Sequence, residues 1–289
     1  MTIILQGILK EGMIYAIMAL GVYITYKILD FPDLSVDGTF PLGSAVTAML
    51  LVKDVNPYIA MIASMLTGAV AGMITGIIHV KFKVRDLLSG IIMMTALYSI
   101  NLRIAGSANV ALYSRKTIFG SPLLAESTTV ILILAVIVLV VKIAMDMYMK
   151  TKSGLLLRAV GDNETLVTSI AKDKGYVKIV GLSMANALAA LSGSVYCQQN
   201  GFFEISSGTG TIVIGLASVI IGTRVLKNVR FVKATTAVIF GSLVYKACVA
   251  IAIAAGLESQ DLKLIIATLF LAILLLCNGF GRKKVKGNA

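Results

Sequence analysis

The stretch Asp30-Phe31-Pro32-Asp33-Leu34-Ser35-Val36-Asp37-Gly38-Thr39, with the apolar run Phe40 to Val52 behind it, decides how this chain is read. A polar, turn-rich passage separates a long apolar segment, Ile3 to Ile28, from a run of 13 residues. As a helix that run is roughly 20 Å long, short of a hydrocarbon core about 30 Å thick. It therefore predicts a half-helix or a broken, re-entrant helix rather than a full crossing. Irregular backbone at membrane depth persists only where protein buries it or where it lines a wet cavity. Residues 30–52 are thus the first candidate for a transport path.

The rest of the chain supports the membrane frame. Of 289 residues, 58% are hydrophobic and 14% charged, and the mean hydropathy is +0.93. Soluble domains are about 45–50% apolar and about 25% charged, so a soluble enzyme, a disordered chain and a disulfide scaffold are all excluded. The class is all-α: a polytopic transmembrane helical bundle with room for about eight to ten spans, forming one domain over 1–289. Full-length spans are expected near 58–80, 87–105 and 128–149, and further spans near 177–198, 210–223, 232–255 and 261–279. The start of the chain lacks the basic n-region and small-residue cleavage site of a signal peptide, so Ile3–Ile28 reads as a retained segment.

The net charge of +12 is not spread evenly. Basic residues gather at Lys81–Arg85, Lys150–Lys178, Arg224–Lys233 and Arg282–Lys286, each abutting an apolar segment. That is the pattern of cytoplasmic loops under the positive-inside rule, and it argues against nucleic acid as a partner. With these clusters inside, orientation alternates without conflict from residue 58, and the C-terminus is cytoplasmic. The N-terminal side stays open: inside if Phe40–Val52 is re-entrant, outside if it crosses. Cys197, Cys248 and Cys277 have neither disulfide nor metal spacing.

Catalytic chemistry is sparse. There is no GxxxxGK[ST], so ATP is not bound here by a P-loop, and no HExxH. His79 is the single histidine, and no ligand set surrounds it. Ser192-Gly193-Ser194 invites a serine-protease reading, but the base would have to be His79 at the far end of a span. A conduit is favoured over a catalyst, and no metal is expected.

Polar groups inside spans are costly, and they mark function or packing. Lys246 lies well inside its span; it either pairs with an acid or substrate carboxylate or snorkels to the outer interface. Asn101 and Arg103 close the span 87–105. Arg103 reads as an outer headgroup anchor, Asn101 as a ligand or interhelical contact near the external mouth. Asp33 and Asp37 either line the path or, in the case of Asp37, cap the following helix, with Pro32 and Gly38 indicating a loop.

Three separated motifs carry a resemblance: Phe31-Pro32-Asp33-Leu34-Ser35-Val36-Asp37-Gly38-Thr39-Phe40-Pro41-Leu42-Gly43, Leu97-Tyr98-Ser99-Ile100-Asn101-Leu102-Arg103-Ile104, and Gly208-Thr209-Gly210-Thr211-Ile212-Val213-Ile214-Gly215-Leu216-Ala217. With these the chain resembles ABC importer permeases of the branched-chain amino acid and ribose type. The tryptophan/tyrosine branch, whose members are often uncharacterised, is most similar. It departs from that pattern at Ala171-Lys172, where glycine is common.

The resemblance implies a type II-like importer fold and two permease copies, a homodimer or heterodimer. It implies cytoplasmic ATPase subunits that carry the MgATP, an external substrate-binding protein, and a bacterial inner-membrane location. The solute expected on the family branch alone is an amino acid. Within the cytoplasmic stretch at about 151–176, Gly154, Leu156, Arg158, Asp162, Asn163 and Glu164 look like the segment that couples to the ATPase. Leucines there suit a partner groove, and the charges set register. A helix lying on lipid is the other reading. Gly208, Gly210 and Gly215 are expected to pack at the dimer axis or gate. The competing function is an ion-coupled secondary transporter or channel using Lys246 and the aspartates, although no inverted repeat is evident.

Overall fold

The computed structural model describes residues 2–120, 127–162, 173–226 and 232–254, with positions 264, 267, 268 and 270–272. Helix α1 (Thr2–Val22) runs on into a π turn (Tyr23–Ile28) and is followed by α2 (Val36–Val52), α3 (Pro57–Lys81) and α4 (Asp86–Ala105). A short strand β1 (Asn109–Ala111) precedes α5 (Ser127–Tyr148), α6 (Lys152–Asp162) and α7 (Lys174–Asn200). Strand β2 (Phe202–Glu204), a 3₁₀ turn (Ile205–Gly208), α8 (Thr211–Val225) and α9 (Ala234–Ala254) complete the described elements. Among the described residues, seven helical segments are long and apolar enough to cross a membrane. They coincide with the expected spans, except that 261–279 lies largely outside the described residues. The expected polytopic helical bundle is the observed fold.

Local chemistry sets the boundaries. Asn56 accepts the Tyr58 N–H at 2.9 Å ahead of α3, with Pro57 as its first residue, a proline–cap pairing suited to a helix start. The Asp173 carboxylate accepts from Gly175 N at 2.8 Å to open α7. Gly201, at φ +75°, closes it, a left-handed conformation that costs a side-chain-bearing residue energy.

Helix α7 is the spine, and α2 and α3 pack along it without intervening side chains. A Cβ on Gly43 would run into the Ala190 carbonyl, one on Gly193 into the Phe40 carbonyl, and one on Gly72 into the Leu182 carbonyl. Close backbone approach of this kind replaces the missing hydrophobic drive between helices in lipid. Hydroxyls stitch the contact: Thr47 meets Ser64 and Ser194 at 2.6 Å each, Ser44 donates to Gly193 O at 2.7 Å, and Ser64 to Gly43 O at 2.8 Å. Ser192, which had invited the protease reading, donates to Ile14 O at 2.7 Å. His79 packs edge-on against Phe31, 5.0 Å between centroids, with Nδ1 2.9 Å from Val84 O.

The structure resolves how the chain enters α2. Helix α1 is antiparallel to α9, with Ser242 Oγ donating to Gly12 O at 2.8 Å, and the π turn that continues it ends at Ile28, where Gly161 of α6 abuts the carbonyl. Residues 29–35 form a non-helical return with Asp30 at φ +53°, in which Leu29, Phe31, Asp33 and Ser35 are buried and Asp30 and Pro32 exposed. Helix α2 then climbs beside α4, from Leu34 against Gly90 to Gly38 against Met94 and Leu97. It ends beside the start of α3, at the opposite end of the bundle from α6, Lys81 and Lys83. Phe40–Val52 is therefore part of a 17-residue apolar helix with Pro41 inside it, shorter than the seven segments long enough to cross. Its shortness is tolerated because neighbouring helices cover most of its length. The start of α1 lies at the end away from the basic clusters. There β1 and β2 pair antiparallel, with Val110 opposite Phe203, and cap the bundle over Leu112 and Cys197.

Candidate functional site

Asp33 is buried, and its carboxylate has three donors. Oδ1 accepts from Ser35 N at 2.9 Å and Ser35 Oγ at 2.6 Å, and Oδ2 accepts from Asn186 Nδ2 at 2.7 Å. The Asn186 carbonyl in turn accepts from Thr39 Oγ1 at 2.7 Å. A carboxylate with neutral donors on both oxygens at this depth holds the return segment to α7.

Asp37 occupies the first turn of α2, so Asp37 and Gly38 are helical where the sequence predicted a loop, and the carboxylate caps a different helix from its own. It accepts from Gly210 N at 3.0 Å, Thr211 Oγ1 at 2.9 Å and Ile212 N at 2.7 Å, which together form the start of α8. Those backbone donors have no intrahelical partner, and the N-terminal end of a helix favours a negative charge. The Asp37 carboxylate thereby ties α2 to α8.

Beside this joint lies a cavity of about 420 Å³ between α2, α4 and the turn before α8, bordered by Asp37, Met94, Thr95, Tyr98, Ser99, Asn101 and Thr209. Asn101 donates from Nδ2 to Gly38 O at 3.0 Å, whereas its buried Oδ1 has no partner. Thr95, Tyr98, Ser99 and Arg103 are exposed and spaced three and four apart, so they share one face of α4. Bare hydrocarbon is a poor environment for such a face.

Lys246 finds an acid. Its Nζ is 2.8 Å from Glu11 Oε2 and 4.1 Å from the Tyr15 ring centroid. Tyr15 stacks on Phe40 at 5.9 Å, and Tyr196 tilts against both rings. The ammonium is thus held by an ion pair and a ring face. Lys246 is not among the residues that border the α4 cavity.

At the basic end, α6 buries Gly154, Leu157 and Val160 and leaves Leu155, Arg158 and Asp162 exposed, with Leu156 half-buried. Asn163 and Glu164 lie outside the described residues. Gly208 abuts Asp37 O and Pro41, and Gly215 abuts Val22, so both glycines are covered by α1 and α2 of the same chain. Gly210, at φ +84°, makes the turn that aims the α8 N–H groups at Asp37.

Residues 4–276 match the family model described as the branched-chain amino acid transport system / permease component. The chain belongs to this permease family. A tyrosine transport system permease protein of Clostridioides difficile is 45% identical over 268 residues, covering 93% of this chain and 89% of that one. An uncharacterized protein of Rickettsia prowazekii is 32% identical over 276 residues, 93% and 96% of the two chains. The ribose import permease protein RbsC of Escherichia coli K12 is 27% identical over 225 residues, 75% and 68% of the two chains. No solved structure matches the chain.

The permease is thus a multi-pass membrane protein. Thr95, Tyr98 and Ser99 had escaped individual notice in the sequence. The signal was present as a polar stripe at helical spacing in an apolar span, but a stripe can equally face a neighbouring helix, and only packing shows that it does not. The Lys246 pair carries its own prediction. Lys246→Met and Glu11→Gln, compared in a double-mutant cycle by thermal unfolding in detergent, give a coupling of about 1 kcal/mol, since Glu11 is half exposed and the pair is screened. The charge-swapped pair recovers only part of it, because a carboxylate then faces the Tyr15 ring. Full recovery by the swap refutes the ring contribution.

Proposed function

We propose that the chain is the membrane subunit of an ATP-driven importer, two copies of which flank a path for a small polar solute. An external binding protein delivers the solute, and separate cytoplasmic subunits bind and hydrolyse MgATP. Membership of the permease family, in a chain that has no P-loop, carries this reading. The relative named for tyrosine transport, at 45% identity, favours an amino acid as the solute. The basic end faces the cytoplasm on the positive-inside pattern.

The polar face of α4 suits the path between copies. Tyr98, Thr95 and Ser99 line it, Asn101 and Asp37 stand behind, and Arg103 sits a turn farther out. Helix α6 suits coupling: its buried side is locked to α7 and to the end of α1, while Leu155, 56% exposed, and Arg158 are bare for a groove on the ATPase. Motion imposed on α6 is then transmitted through Gly161 and Leu157 to the return segment before α2. Ion coupling is disfavoured because the Asp33 and Asp37 carboxylates are already engaged by several donors each.

The test replaces Leu155 with Asp and Arg158 with Glu. Uptake into vesicles containing the ATPase subunit falls at least about tenfold, as for loss of hot-spot contacts of about 2 kcal/mol or more, while the thermal midpoint of the purified permease holds. Undiminished, ATP-dependent uptake by that variant would remove α6 from the coupling role. Uptake that persists without any ATPase subunit would return ion coupling to first place.

A further inference from the structure

We propose that a pocket at the basic end of the permease binds the phosphate of an anionic phospholipid headgroup, with Lys150 and Lys233 as its cations. The pocket has a volume of about 290 Å³ and lies where four elements meet: the π turn after α1 contributes Tyr23, the end of α5 Met149 and Lys150, α6 Arg158, and the start of α9 Lys233 to Thr235. Among the described residues Asp146 is the one carboxylate bordering it, and it is already engaged. Its Oδ2 accepts from Lys233 at 3.0 Å and Lys142 at 3.3 Å, and its Oδ1 accepts from Thr235 Oγ1 at 2.7 Å. Lys150 and Arg158 have no carboxylate partner among the described residues. The hollow therefore carries surplus positive charge, the condition in which an anion is the missing ligand.

A lipid, rather than a free anion, fits the surroundings. Leu132, Val136, Leu139, Ile143 and Met147 are exposed on α5 at three- and four-residue spacing and lead to the turn that carries Lys150. Acyl chains lie along such a stripe while the headgroup reaches the pocket, and that apolar contribution is closed to soluble phosphate. Basic pockets between transmembrane helices at the cytoplasmic level are suited to phosphate headgroups. A bound headgroup bridges α5 and α9 beside α6, so it braces the base of α6. The inference rests on the membrane reading of the bundle and is independent of which subunits supply energy.

The full-length permease, delipidated in detergent, is titrated with phosphatidylglycerol, phosphatidylcholine or inorganic phosphate, and followed by thermal unfolding and native mass spectrometry. Phosphatidylglycerol raises the midpoint and stays bound; phosphatidylcholine does neither. In Lys150→Gln/Lys233→Gln the apparent affinity for phosphatidylglycerol drops about thirtyfold, from two cations at about 1 kcal/mol each, with the lipid-free midpoint retained. Equal affinity in the double variant overturns the site, and equal stabilisation by inorganic phosphate overturns its assignment to lipid. If the double variant fails to fold, a photoactivatable phosphatidylglycerol on the unaltered protein decides: it labels the peptides around Met149 and Ala234, and labelling confined elsewhere refutes the proposal.

Discussion

Gly43→Val is expected to abolish folded permease, leaving no monodisperse species in detergent. The valine Cβ would overlap the Ala190 carbonyl, and there is no flexible side chain to give way, only the backbone of α7. Helices α2 and α7 cannot simply separate, because Ser44 Oγ to Gly193 O at 2.7 Å and the Thr47–Ser194 pair at 2.6 Å hold them at that distance. Overpacking a tight core costs about 1–3 kcal/mol where side chains relax, and a backbone collision exceeds that range. Gly7→Ala is the control: nothing lies within 4 Å of its Cβ position, so its midpoint stays level or rises slightly with helix propensity. Size-exclusion profiles and thermal midpoints of the two variants, side by side, check the claim. A Gly43→Val protein that melts like the parent would mean that α2 does not lie on α7 as described.

Asp37→Ala is expected to lose about 3–5 kcal/mol of stability and most transport. The substitution leaves Gly210 N, Ile212 N and the Thr211 hydroxyl facing a hollow at the start of α8, and stranding buried partners of a charged group costs that much. Asp37→Asn separates charge from shape. It keeps an acceptor but turns an amide N–H₂ toward backbone donors, so it recovers only part of the midpoint. Uptake falls in both variants, because the cavity beside α4 has the α2–α8 joint as one wall. Thermal unfolding of the purified variants reads the first effect and vesicle uptake the second. Wild-type stability in Asp37→Ala would show that the cap contributes nothing to the joint.

The crossings and the basic loops were legible because hydropathy and charge act locally along the chain. Twenty apolar residues form a helix in lipid whatever their neighbours are, and a basic cluster at a span end says which side that end prefers. The same local reading misjudged the entry to α2. Pro32 and Gly38 are good loop formers, yet the helix starts at Val36, because Gly38 fits against Leu97 and Met94 where a larger residue could not. The glycines at 208 and 215 show the same limit: their spacing indicated close packing, but not that α1 and α2 of the same chain would provide it.

The roles of the buried polar residues were beyond reach for a related reason. Asp33 and Asn186 are separated by 153 positions, and Lys246 and Glu11 by 235. A carboxylate in a span is equally consistent with a path, a cap or an ion pair until its donors are known. The sequence alone determined the class of molecule, its spans and its basic end, because those follow from solvation of segments taken one at a time. Only the tertiary structure decided that Asp33 and Asp37 join helices, that Lys246 has a partner, and that α4 turns Thr95, Tyr98 and Ser99 toward a cavity. Hydrogen bonds and ion pairs depend on distances of a few ångströms between residues far apart in the chain, and packing sets those distances.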